Sequence, residues 1–251
     1  MTTKQVIERP LVSITNVIFS FDRVTKQLLI LLLQRSTAPF AGEWGLPTTA
    51  LRVDESADMA ASRLVKEKLG VGLKRLKPEQ LGTFTNVARV PGERTLALTY
   101  MVYLPVKPEL VPGYGAKDVR WFAVTPREQG DDLVAGKLAF TGVDDEVSPD
   151  DFYQQEWTTG MLAADHGLII RTALQRVRNR LDYSPTILKV LGDAFTLKQA
   201  RELYALLRRE SVNQIDNSNF RKTHGHLFEA VGFERHSGSG RPARVYQLKN
   251  G

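Results

Sequence analysis

Two groups of residues have the types and spacing to do chemistry. The first is Glu55, Arg63, Leu64, Glu67 and Lys68. Positions 64, 67 and 68 are three and four apart, so on a helix they share a face that reads leucine, glutamate, lysine. A hard divalent cation needs several oxygen ligands, and one carboxylate beside an ammonium supplies neither the ligands nor the negative field. Metal-assisted hydrolysis is therefore expected to be lost or feeble, with no catalytic residue, no metal site and no cofactor. Taken alone, Arg63 and Glu67 at i, i+4 read as a surface ion pair. The second group is the run Asp216-Asn217-Ser218-Asn219-Phe220-Arg221-Lys222, with His224 behind it and Arg241 and Arg244 further on. An acid or amide N-cap opening a helix with exposed amide, hydroxyl and basic side chains suits a DNA major groove. Asparagine can read adenine there and arginine guanine, while hydroxyls and lysine hold phosphates. Ser218, Asn219, Arg221, Lys222 and His224 are the expected contacts from the helix. Arg241 and Arg244 are expected to meet backbone or minor groove. His224 and His226, at i, i+2, do not share a helix face, so a metal pair is not expected.

The elements that must position these groups divide the chain. Residues 11–21 and 27–34 read as two strands about an Asp22-Arg23 turn. Residues 56–69 read as a helix capped by Asp54 or Ser56 and closed by Gly70, and 95–106 and 119–124 as further strands. The stretch 125–159, with Asp131-Asp132, Asp144-Asp145-Glu146 and Asp150-Asp151, reads as an acidic, irregular, solvated excursion. From Leu162 the pattern turns helical. Leu162, Ile169, Ile170, Ala173, Leu174, Val177 and Leu181 form one apolar stripe on a long connecting helix, which motivates a homodimer unless the stripe packs onto its own sensor domain. A short helix opens at Pro185. Thr196 and Gln199 have capping-box spacing for a second, and a third runs from near Asn217 to near Val231, with Phe220, Leu227, Phe228 and Val231 on its buried face. Strand candidates at 233–236 and 244–248 complete the order of a winged helix.

Charge follows the same division. Residues 1–155 hold 19 basic and 19 acidic side chains, whereas residues 156–251 hold 15 and 9, which is the whole formal charge of +6. A basic module attached to a neutral one fits a nucleic-acid footprint beside a sensor. The chain has no cysteine, which excludes a disulfide scaffold, a thiolate zinc site and a cysteine nucleophile. With no secretory leader and no apolar run long enough to span a bilayer, it is expected in the cytoplasm, without membrane contact.

The segment from Trp44-Gly45-Leu46-Pro47 to Gly70-Val71 resembles the Nudix box. Glu55, Arg63, Val65, Glu67, Gly70 and Val71 match that pattern, while Thr49, Leu64 and Lys68 depart from it. In Nudix hydrolases the positions of Leu64, Glu67 and Lys68 are metal-holding carboxylates, and glycines stand where this chain has Thr48 and Thr49. With Ala164-Asp165-His166, Tyr183-Ser184-Pro185 and Gly240-Arg241-Pro242-Ala243 added, the chain is similar to the Nudix-related transcriptional regulators (the NrtR family) along nearly its whole length. The resemblance implies an α+β protein: a Nudix-like α/β/α sandwich with a mixed sheet, followed by a winged helix-turn-helix domain. It divides the chain into a ligand-sensing domain (1–158), a linker helix (159–183) and a DNA-binding domain (184–251). It implies a repressor of NAD-metabolism genes that binds a double-stranded operator as a homodimer. It also implies a nucleotide effector such as ADP-ribose, held by Arg35, Trp44, Arg63, Glu67, Arg89 and Arg94. The competing readings are an active hydrolase of ADP-ribose or a related nucleoside diphosphate derivative, and an adaptor for RNA or protein.

Overall fold

The computed structural model describes residues 9–69, 77–234 and 242–249. Its larger sheet runs β5 (Glu79–Phe84), β6 (Thr95–Leu104), β1 (Leu11–Asp22), β2 (Gln27–Arg35), β7 (Ala116–Arg127), β8 (Gly130–Ala135) and β9 (Leu138–Phe140). The short strands β3 (Trp44–Gly45) and β4 (Thr48–Ala50) pair with β2 and β1. β1 and β6 are parallel and the other pairs antiparallel, so the sheet is mixed. The β1–β2 turn is closed by Asp22, whose carboxylate accepts from the amides of Val24 and Thr25 at 2.9 and 3.1 Å.

β1 and β2 are buried along most of their length because both faces of the sheet are covered. Ile18, Leu31 and Leu33 face helix α1 (Ala57–Leu69) through Val65 and Leu69. The alternate residues Val17, Phe19, Ile30 and Leu32 join a larger core on the opposite side. Of the two caps expected for α1, Ser56 is the one used: its hydroxyl accepts from the Met59 amide at 3.2 Å.

The opposite side is covered by α3 (His166–Asn179) and by the C-terminal module. That module contains a 3₁₀ helix (Thr186–Leu191), β10 (Phe195–Thr196), α4 (Leu197–Arg208), α5 (Asn217–His224), β11 (Phe228–Phe233) and β12 (Arg244–Leu248). The three strands form a small sheet in the order β10-β12-β11. The 3₁₀ helix packs on β1 and β6, and α4 reaches β2, so the two halves share one hydrophobic core. The Thr196–Gln199 capping box is complete, with both reciprocal hydrogen bonds formed.

Three expectations are corrected. The stretch 125–159 is largely ordered secondary structure, carrying the end of β7, then β8, β9 and α2 (Pro149–Gln154). Asp131 is buried there and accepts from both Arg178 (2.7 Å) and Arg209 (3.0 Å), and Asp145 takes Arg209 at 2.7 Å. The connecting helix is only the fourteen residues of α3, and its apolar stripe from Leu162 to Leu181 is buried within this chain, so it gives no reason for a dimer. The third helix of the module ends at His224. Phe228 is buried at the start of a strand rather than on a helix, and Val231 is 45% exposed. The expected closing residue Gly70, together with Val71, lies outside the described residues. Among those described, no helix is long and apolar enough to cross a membrane.

Candidate nucleic-acid interface and ligand cleft

α5 is held from behind and open in front. Asp216 caps it, accepting from the Asn219 amide at 2.7 Å, and Arg201 ties α4 to the preceding turn through the carbonyls of Val212 and Ile215. Phe220 and His224 point inward against Tyr204, with ring centroids 4.9 and 5.0 Å away. His224, expected on the DNA face, is 3% exposed, with Nε2 2.9 Å from Asp182 and Nδ1 3.2 Å from the Phe220 carbonyl oxygen. It is a core residue, because i, i+4 from Phe220 returns to the buried side. The hydrogen bond from His224, reinforced by Arg208, holds the Asp182 carboxyl below the usual carboxylate range. Ser218, Asn219, Arg221 and Lys222 are exposed, and among the described residues their side chains have no hydrogen-bond or ion-pair partner. Arg244 is exposed at the start of β12, opposite Phe233. Arg241 lies outside the described residues.

The expected effector residues separate into four places. Arg35 and Arg89 line one cleft of about 120 Å³ with Phe40, Thr48, Glu93 and His166. Arg35 is its unspent cation, with a buried Nε that has no partner and a pKa that burial pushes down. Arg89 is already committed. It is 5% exposed and makes a bidentate pair with Asp165 (2.8 and 3.0 Å) and a bond to Thr95 (3.0 Å), while Tyr153 donates to the same carboxylate at 2.7 Å. Trp44 is outside the cleft. It is buried edge-on against Phe122 with its centroid 5.2 Å away, and the Arg120 guanidinium lies over its ring. Arg94 is spent on its own loop, donating to the Thr85 carbonyl at 2.8 Å.

Arg63 and Glu67 belong to a separate cluster. Arg63 binds Glu55 (2.6 and 2.8 Å), Glu67 (3.1 and 3.2 Å) and the Thr49 hydroxyl (3.3 Å), and its hydrogen bonds pull the Glu55 carboxyl down to about 2. Leu64 is fully buried while Glu67 is largely exposed, so the helix face they share with Lys68 presents a single accessible carboxylate. The ammonium of Lys68 donates to the Tyr114 carbonyl, and burial lowers its pKa. Among the described residues no three His, Cys, Asp or Glu side chains are grouped to hold a metal.

Sequence reasoning missed His166 and the Asp131 cluster. His166 is fully buried, and its Nδ1 accepts from the Leu46 amide at 3.0 Å, which requires a neutral ring. Burial, with help from the nearby charges of Arg35 and Arg89, drops its pKa to about 3. A Cβ on Gly45 would sit 2.4 Å from that same nitrogen, so the glycine is there for the histidine. Neither pairing has a local signal, because the partners are 120 and 47 residues apart.

Comparison with known proteins matches a NUDIX domain over residues 11–132 and an NrtR DNA-binding winged helix domain over residues 187–248. The ADPR responsive transcriptional repressor NtrR of Acinetobacter baylyi is 26% identical over 200 residues, which is 79% of this chain and 66% of that protein. The crystal structure of a MutT/nudix family protein from Enterococcus faecalis superposes with a TM-score of 0.83 at 29% identity, covering 99% of this chain and 90% of the other. Shewanella oneidensis NrtR superposes with a TM-score of 0.67 at 26% identity, covering 95% of this chain and 94% of the other. The same protein complexed with a 27mer DNA gives 0.63 at 25% identity, covering 95% and 93%.

Proposed function

The chain belongs to the Nudix-related transcriptional regulators, and on that premise we propose that it is a DNA-binding repressor whose Nudix-like domain senses an ADP-ribose-like nucleotide without hydrolysing it. The carrying observation is the outer face of α5, where Ser218, Asn219, Arg221 and Lys222 are exposed and unpartnered among the described residues, on a helix fixed by Asp216, Phe220 and His224. A helix so anchored can enter a major groove without distorting its own domain. Asn219 and Arg221 read base edges; Lys222 and Arg244 hold phosphates. Two copies, related by the two-fold axis of a palindromic operator in the compartment that holds the DNA, bind its two half-sites. The genes controlled are those of NAD metabolism.

The effector enters at Arg35, whose buried Nε has no hydrogen-bond partner among the described residues. Its cleft is small for a nucleoside diphosphate sugar, so it takes only part of the nucleotide, beside the fixed Arg89–Asp165 pair. Hydrolysis is absent because Leu64 is core, Glu67 is tied to Arg63 and Lys68 brings a positive charge to the metal face.

The test is selection of bound duplexes from a random DNA pool, followed by anisotropy titration of the selected duplex with and without ADP-ribose. The proposal predicts a palindromic selected site whose affinity changes with ADP-ribose, an Arg35→Ala variant that no longer responds, and no turnover of ADP-ribose with Mg²⁺ or Mn²⁺. A selection that yields no enriched sequence defeats the DNA reading. Turnover abolished by Glu67→Gln defeats the non-hydrolytic one.

A further inference from the structure

A cavity larger than the Arg35 cleft lies apart from it. It encloses about 340 Å³ between β8, β9, α2 and the flank of α3, a size toward the small end of the roughly 300–1,000 Å³ typical of small-molecule sites. Leu133, Phe140, Phe152, Leu162, Ile170 and Leu174 make an apolar body, and the exposed Ala139, Thr159 and Gly160 stand at its mouth. In this apolar wall stands one cation, Arg171. It is 9% exposed, and its Nη1 donates only to main-chain carbonyls, those of Asp144 (2.8 Å) and Val147, while its buried Nε has no partner. No carboxylate among the described residues forms an ion pair with it, and Asp145, which acts on it from further away, is already paired with Arg209. Burial lowers its pKa against the opposing pull of Asp145, whose Oδ1 is itself buried without a hydrogen bond. Native proteins seldom leave a guanidinium in that state, since both desolvation and the missing hydrogen bond oppose it.

We propose that this cavity is a second small-molecule site, which takes a compact amphipathic anion: a carboxylate or phosphate monoester head on Arg171 and an apolar body among Leu133, Phe140, Ile170 and Leu174. Such a ligand brings an anionic head to a guanidinium that forms no ion pair among the described residues. It also lies against Asp131, which lines the same cavity and holds Arg178 and Arg209.

The experiment uses the full chain with methyl-labelled methionine, isoleucine and leucine. The probes are hexanoate, octanoate, phenylacetate and hexyl phosphate, with hexanol and hexanamide as neutral counterparts. The acids are expected to shift the methyl signals of Met161, Ile170 and Leu174 and to raise the melting temperature, and to bind about tenfold tighter than the neutral molecules. Comparison of hexanoate with hexyl phosphate identifies the preferred head group. Arg171→Gln removes the advantage of the acids. Ala139→Trp places bulk at the exposed mouth without disturbing the core, so it blocks acids and neutrals alike and decides the matter even if Arg171→Gln does not fold. Arg35→Ala and saturating ADP-ribose leave the response in place, which separates this site from the nucleotide cleft. Equal binding of acids and neutral molecules, no methyl shift at millimolar acid, or binding that survives Ala139→Trp overturns the proposal.

Discussion

Arg89 and Asp165 bury a complete ion pair, with side chains 4% and 0% exposed, at the point where the sensor loop meets the start of α3. Removing one partner strands the other charge away from water. Arg89→Met is therefore expected to cost about 3–5 kcal/mol, measured by urea unfolding, far more than loss of a ligand contact at a solvated site. A change below about 1 kcal/mol would place Asp165 in solvent or give it another cation. His166 adds a pH dependence. Its folded pKa of about 3 lies below the ordinary 6.5, so folded and unfolded chains are both neutral above 6.5. As pH falls through the window from 6.5 to 3, the unfolded chain takes up a proton that the folded chain refuses. Stability is then lost at about 1 kcal/mol per pH unit from this group. His166→Gln keeps an acceptor for Leu46 but cannot titrate, so its stability should fall less than the wild type's between pH 6.5 and 4. Parallel slopes would remove His166 from the account. Arg35, Arg63 and Arg89 were all visible in the sequence as cations near a Nudix-like segment. Which of them remained free was not, because each is decided by a partner brought in by the fold.

At the scale of elements, strands and caps were the most legible. β2 is announced by the unbroken apolar run Leu28 to Leu33, β1 by its β-branched and aromatic residues, and the Thr196–Gln199 box marks the start of α4. α5 was read too long because Phe220, Leu227, Phe228 and Val231 fall at helical spacing. The chain instead leaves the helix at Gly225 and pairs Phe228 to Phe233 with β12. Aspartates concealed β8 in a similar way, since a buried Asp131 looks solvated until Arg178 and Arg209 arrive from elsewhere. On the proposed reading, the shortened α5 confines base contacts to its first two turns. Arg221→Ala should weaken binding to the selected operator by about 1–3 kcal/mol while leaving random duplex nearly unchanged. Arg244→Ala should weaken both and lower the salt slope by about one. Equal losses on both duplexes for Arg221→Ala would remove it from base reading, and two silent substitutions would remove this surface from the DNA.

Across the whole molecule, the sensor and the DNA module are joined by more than chain. Arg178 and Arg209 meet Asp131, Lys26 meets Glu202 at 2.7 Å, Arg180 meets Glu79, and the 3₁₀ helix Thr186–Leu191 completes the apolar cover of β1 and β6. Heat should therefore unfold both halves together. The three tryptophans, at 44, 121 and 157, report on the sensor, and amide exchange in α5 reports on the module. Their midpoints should coincide, and Asp131→Ala should lower both without separating them. Two separate transitions in the wild type would contradict a shared core. An inherited seam of this kind restricts how such a regulator can be rebuilt. The winged helix is not a cassette that can be lifted onto another sensor, since its recipient would have to present the same apolar face along two strands. New specificities are then reached by altering the outer face of α5 or the linings of the cavities, with the residues of the seam kept as they are.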